Sequence, residues 1–109
     1  MTDESLVLVE SNTTGTGRLF CAAARRLGLR PVVLARDPGR YPYLAQDRVD
    51  THVTETGSVA AVLAECARLD GRVVGIASSS EYYVGVAGQA ARALGLPHPE
   101  PDAVLACRD

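Results

Sequence analysis

The sequence predicts an α/β fold: an open, three-layer parallel sheet of about four strands in the order 3-2-1-4, with helices on both faces. Three observations carry this expectation. Short apolar runs at Leu6-Val7-Leu8-Val9, Pro31-Val32-Val33-Leu34-Ala35 and Val73-Val74-Gly75-Ile76 have the pattern of strands buried on both sides. Segments with apolar residues at helical spacing lie between them. Gly28, Gly71 and Gly95 close those segments, and Pro31 and Pro97 follow two of them. Strands that alternate with helices pair in parallel through right-handed crossovers.

Leu6 to Val9 forms the first strand, followed by a polar loop, Glu10 to Gly17. The first helix is expected to bury Leu19, Phe20, Ala23, Ala24 and Leu27, with Gly28 as a left-handed cap. Pro31 opens the second strand. Asp37-Pro38-Gly39 is a turn, and Arg40 to Leu44 is a loop or a single helical turn. Val49 to Val53 alternates as a strand near a sheet edge does. Thr56 or Ser58 caps the next helix, which buries Val59, Val62, Leu63, Cys66 and Leu69 and ends at Gly71. Val73 to Ile76 is the fourth strand. Ser80 is expected to cap a helix over Tyr82 to Leu94, with Val84, Ala87, Ala90, Ala91 and Leu94 inward. The first and second strands, the most apolar, belong in the middle. Residues 99–109 start a further helix, with Pro101 near its first position.

At 109 residues the chain is one domain, and 47% apolar with 22% charged residues is globular composition. A net charge of −2 argues against a general nucleic-acid binder. No apolar run is long enough for a membrane span, and the acidic start is not a signal peptide. All 11 basic residues are Arg, which removes any lysine-based phosphate or Schiff-base chemistry from these residues. Cys21, Cys66 and Cys107 form no CxxC pair, so structural zinc is not expected, and each sits in an Ala-rich helical stretch as a small buried hydrophobe. Reduced thiols without an export signal point to the cytoplasm.

Strand order 3-2-1-4 sends the helices after the first and fourth strands to opposite faces. Ligands of open parallel sheets bind at that switch point, outside the carboxyl ends. Both loops there are polar. The first, Glu10, Ser11, Asn12, Thr13, Thr14, Gly15, Thr16 and Gly17, carries hydroxyls, an amide and glycines that admit an anion to a helix N-terminus. The second, Ser78, Ser79, Ser80 and Glu81, adds hydroxyls and a carboxylate. These two loops are the candidate substrate-binding residues. No catalytic residue and no metal ligand is assigned, and His52 and His98 have no recognisable Asp or Ser partner. Arg36, Arg40 and Tyr41 are either solvated surface, a site for an acidic group or half of a domain contact. Tyr82 and Tyr83 read as packing. The predicted sheet is Rossmann-like, and Gly15-Thr16-Gly17 matches the start of a dinucleotide fingerprint, with Asp37 about 20 residues on as the ribose ligand. Phe20 stands where the third glycine belongs.

Leu8-Val9-Glu10-Ser11-Asn12-Thr13-Thr14-Gly15-Thr16-Gly17, Arg36-Asp37-Pro38-Gly39-Arg40-Tyr41-Pro42, Ser78-Ser79-Ser80-Glu81-Tyr82 and Gly95-Leu96-Pro97 together resemble the N-terminal pre-ATP-grasp domain of ATP-grasp carboxylate–amine ligases. The resemblance runs from about Leu6 to Asp109 and rests on the order and spacing of these stretches. It implies an enzyme that transfers the ATP γ-phosphoryl group to a carboxylate, forming an acylphosphate that an amine then attacks to give an amide or peptide bond. The resemblance also implies that magnesium bridges the phosphates and that the N-terminal domain supplies one wall of the substrate site, which here would be Glu10 to Gly17 and Ser78 to Glu81.

In similar proteins Cys107-Arg108-Asp109 leads into a lysine and the ATP-grasp domain. The expectation is therefore a pre-ATP-grasp domain at 1–98, a helix start at 99–109 leading toward an absent ATP-grasp domain, and a truncated, split or stand-alone chain inactive by itself. ATP and Mg2+ belong to the full-length enzyme, with no cofactor in this chain. The implied partners are an ATP-grasp domain, in cis or as a separate subunit, and small carboxylate and amine substrates; a homodimer is also open to it. Two rival readings are a small nucleotide- or dinucleotide-binding module and a non-catalytic interaction module.

Overall fold

Strands β1 (Glu4–Val9) and β2 (Arg30–Ala35) occupy the middle of the sheet, flanked by β3 (Asp50–Val53) beside β2 and β4 (Arg72–Ala77) beside β1. The computed structural model describes residues 3–12 and 15–96. All three pairings are parallel, in the order β3-β2-β1-β4. Val7 lies opposite Val32 and Ile76, so the apolar runs of the sequence meet across the sheet. The expected order and the central position of the two most apolar strands are both observed.

Period-two alternation divides the strand residues between two cores. Val7, Val9, Val32, Leu34 and Ile76 face α3 (Val59–Arg68) and α4 (Val84–Ala93), which contribute Val62, Cys66, Ala87, Ala90 and Ala91. Leu8, Val33 and Ala35 face the other way, onto Cys21 of α1 (Thr16–Arg26), Tyr41, Val49, and Tyr43 and Leu44 of the short helix α2 (Tyr43–Gln46). A single 3-10 turn, Pro38–Arg40, precedes α2. Among the described residues no helix is long and apolar enough to cross a membrane.

Caps follow the chemistry of their residues. Ser58, rather than Thr56, caps α3 by accepting the Ala61 N–H at 3.1 Å. Gly28 and Gly95 take the left-handed conformation just past α1 and α4, with φ of 78° and 70°.

Several expectations need correction. The buried stripe of α1 is Gly17, Cys21 and Ala24, while Leu19 and Leu27 are 66% and 76% exposed. Small residues bring α1 close to the tyrosines packed on the sheet. Leu19, two residues past Gly17, points about 200° away around the helix, and Leu27 sits at the C-cap. Helix α3 ends at Arg68, before Gly71; that glycine (φ 80°) instead lies against the Asp3 carbonyl, which a Cβ would strike. Helix α4 starts at Val84 with Tyr83 at its N-cap. Ser80 does not cap it, because its carbonyl closes the preceding turn on the Tyr83 N–H at 3.0 Å. Tyr82 is 92% exposed rather than packed, and Leu94 is 45% exposed at the α4 C-cap. The expected helix at 99–109, Cys107 and His98 lie outside the described residues.

Candidate functional site at the carboxyl ends of strands one and four

Helices α1 and α4 pack on opposite faces, so the winding of the sheet does reverse between the parallel strands β1 and β4. The two polar loops meet there and are tied to each other. Ser78 Oγ donates to the Val9 carbonyl at 2.6 Å, and Asn12 Nδ2 donates to the Ser79 carbonyl at 3.1 Å. Asn12 Oδ1 accepts the Gly17 N–H at 3.2 Å, so one amide joins the first loop, the start of α1 and the second loop. Ser78 Oγ also accepts the Ser80 N–H at 3.0 Å. Thr13 and Thr14 lie outside the described residues. Thr16 opens α1 and is exposed, Gly15 is its N-cap (φ 96°), and Glu81 is exposed in the turn before α4.

Gly17 explains the tightness of this junction. A Cβ there would overlap Ser11 Oγ and would come within 2.8 Å of the Tyr43 hydroxyl and 3.1 Å of Ser79 Oγ. The close approach that glycine permits is thus used by the chain's own hydroxyls, which leaves no room on that side for a pyrophosphate. Phe20, where a dinucleotide fingerprint needs glycine, packs on the α1-side core, and Asp37 is exposed.

Glu10 is only 4% exposed and has φ of 63°. Its Oε1 accepts the Tyr41 hydroxyl at 2.8 Å, and its Oε2 accepts the Thr56 hydroxyl at 2.5 Å and the Arg36 N–H at 3.0 Å. Its own N–H donates to the Leu34 carbonyl at 2.7 Å. One carboxylate therefore fastens the loops after β1, β2 and β3. The acidic group that Tyr41 binds is this one, while the Arg36 side chain pairs with exposed Glu55. Tyr41 was one of the residues offered for an acidic group, whereas Tyr43 and Thr56 were not among the expected site residues. The one available signal was that an acidic residue after a buried strand needs donors, and the Tyr41-Pro42-Tyr43 segment supplies them.

Burial pushes the Tyr41 hydroxyl upward, helped by its bond to Glu10. Burial raises Tyr43 to about 12, despite the opposing 2.7 Å hydrogen bond with Ser11. The Cys21 and Cys66 thiols are also held up by burial, which suits inert packing. Because Tyr43 is a weaker acid folded than unfolded, its contribution is complete below pH 10 and is lost as pH rises toward 12. Stability is expected to fall across that window by of order 2 kcal/mol, lowering the melting midpoint with it, and Tyr43→Phe to flatten the slope. Thermal melts at alkaline pH check this; equal slopes in both proteins refute it. At the acid end, Arg18 holds the Asp47 carboxyl below its usual range through a 2.7 Å hydrogen bond.

His52 does have partners, contrary to expectation: Nδ1 is 3.0 Å from Glu65 and Nε2 is 3.2 Å from Asp50. Asp50 sits two residues away on the same strand, where period-two alternation brings it alongside. Among the described residues no group of His, Cys, Asp and Glu has the arrangement to hold a metal ion.

The profile of the ATP-grasp N-terminal domain matches residues 21–98. The match includes the second loop and begins after the first. A Sinorhizobium fredii protein, named uncharacterized protein y4rH, is 34% identical over 106 residues, covering 95% of this chain. Those residues are 22% of that protein, so the chain spans about a fifth of its relative's length. No solved structure matches.

Proposed function

The chain belongs to the ATP-grasp N-terminal domain family, and from that premise we propose that it forms the substrate-side wall of an ATP-dependent carboxylate–amine ligase. The whole protein would phosphorylate a small carboxylate with ATP, and an amine would displace phosphate from the acylphosphate to form an amide or peptide bond. The observation that carries this reading is the junction of the two loops at the sheet's switch point, held by Asn12 between Ser79 and Gly17. Open parallel sheets receive ligands there. In this reading Ser11, Asn12, Ser78, Ser79, Ser80 and Glu81 shape the wall, along with Thr13, Thr14, Gly15, Thr16 and Gly17. Glu10 aligns it by bracing the three loops. ATP and Mg2+ bind an ATP-grasp domain, in cis or on a separate subunit, and the protein works in the cytoplasm.

Two measurements test the reading. Calorimetry of the 109-residue chain with ATP and Mg2+ is expected to show no binding; sub-micromolar binding would sink it. The full-length Sinorhizobium fredii relative, given ATP, Mg2+, a panel of carboxylic acids and hydroxylamine, is expected to release ADP and form a hydroxamate, because hydroxylamine intercepts an acylphosphate. ADP release without hydroxamate across the panel contradicts the acylphosphate route.

A further inference from the structure

A cavity of about 270 Å3 opens beside the first loop, on the α1–α2 side of the sheet, lined by Asn12, Gly15, Arg18, Arg40, Tyr41 and Tyr43 among others. Among the described residues its lining holds two arginines and no carboxylate, although the chain as a whole carries a net charge of −2. That asymmetry is local, and a concave wall concentrates the field it produces.

Most arginines of the chain are already engaged. Arg18 pairs with Asp47, Arg36 with Glu55, Arg68 with Glu65 and Arg72 with Glu4, while Arg25 and Arg30 donate to backbone carbonyls. The guanidinium groups of Arg26, Arg40 and Arg48 have no hydrogen-bonded or ion-paired partner among the described residues, and of these Arg40 lines this cavity. Its charge is felt at the cavity wall, where it opposes the upward push of burial and Glu10 on the Tyr41 hydroxyl.

The fixed parts of the wall complete the picture. Arg18 is held by two bonds to Asp47, at 2.7 and 2.6 Å, so its position is set and its charge largely compensated. The Asn12 amide is spent on Ser79 and Gly17, and the Tyr41 and Tyr43 hydroxyls on Glu10 and Ser11. Among the described side chains of the wall, Arg40 alone keeps its full donor set for something else. A guanidinium presents a planar fork that matches two oxygens of a carboxylate or phosphate.

We propose that this cavity is an anion-binding site in which the Arg40 guanidinium takes the carboxylate or phosphoryl group of a small molecule. The proposal rests on the cavity and its charges rather than on the ligase reading; its readout is binding to this chain, whereas that reading stands or falls on hydroxamate formation by a full-length protein.

The test is calorimetric titration of the 109-residue chain at constant ionic strength, with inorganic phosphate and with succinate as probes. Saturable binding of phosphate assigns a phosphoryl ligand, and saturable binding of succinate a carboxylate. Arg40→Gln is expected to weaken binding at least tenfold, about 1.4 kcal/mol, while Arg26→Gln stays within twofold of the parent. Arg40 is exposed and its side chain holds nothing else in place, so the variant retains the fold. Three results overturn the proposal: no saturable binding of either probe, an Arg40→Gln affinity within twofold of the parent, or an equal loss in Arg26→Gln.

Discussion

Glu10→Ala is expected to lower the melting midpoint by more than about 10 °C, corresponding to a loss of about 3 kcal/mol in a domain of this size. The Tyr41 hydroxyl (residue 6% exposed) and the Thr56 hydroxyl (0% exposed) would lose their acceptor without gaining access to water. Each stranded donor costs roughly 1–3 kcal/mol, and hydrogen bonds to a charged acceptor lie toward the upper end. The Arg36 N–H adds a third. Glu10→Gln separates hydrogen bonding from charge. Its carbonyl oxygen can accept Arg36 and Thr56 while its amide donates to a rotated Tyr41 hydroxyl, so the expected loss is only about 1 kcal/mol. A thermal melt of Glu10→Ala within 3 °C of the parent would show that the carboxylate does not brace these loops. The functional corollary is that Glu10→Ala loosens the candidate wall even with every other loop residue intact.

Gly17→Ala and Gly88→Ala should change stability in opposite directions, although both replace glycine in a helix. At Gly17 the added methyl overlaps Ser11 Oγ and crowds the Tyr43 hydroxyl and Ser79 Oγ. Ser11 can turn away only by giving up its 2.7 Å bond to Tyr43, which leaves a buried hydroxyl unpartnered. Overpacking of this kind costs about 1–3 kcal/mol and outweighs the better helix propensity of alanine. At Gly88, within α4, a methyl meets nothing within 4 Å, so propensity decides and alanine stabilises by about 0.5–1 kcal/mol. Denaturant melts of the two variants give the signs directly. If Gly17→Ala proves neutral or stabilising, the packed junction of the loop hydroxyls around Gly17 is wrong.

The sheet was legible because its determinants are local. Runs such as Leu6 to Val9 and Val32 to Ala35 are apolar at every position since both faces of a parallel strand are covered. Gly28 and Gly95 announce helix ends because the left-handed cap disfavours a side chain. Strand order and the switch point followed, and with them the meeting of the two polar loops. The face of α1 was less legible. Leu19 and Leu27 are more apolar than Gly17 and Ala24, yet the helix turns its small residues inward because Tyr41, Tyr43 and Leu44 already fill the space beside it.

Local pattern therefore sufficed for what this chain is: an α/β sheet of stated order, capped helices and two polar loops at one end. What Glu10 does was decided only by the tertiary structure. Tyr41 and Thr56 lie 31 and 46 residues further along, on loops after two other strands. No short window of sequence contains the three together. The same holds for Arg40, whose guanidinium has no partner among the described residues because of where their acidic side chains end up. Periodicity and caps are properties of neighbouring residues, whereas the satisfaction of a buried carboxylate, or the isolation of a cation, depends on which distant loops the fold brings to one place.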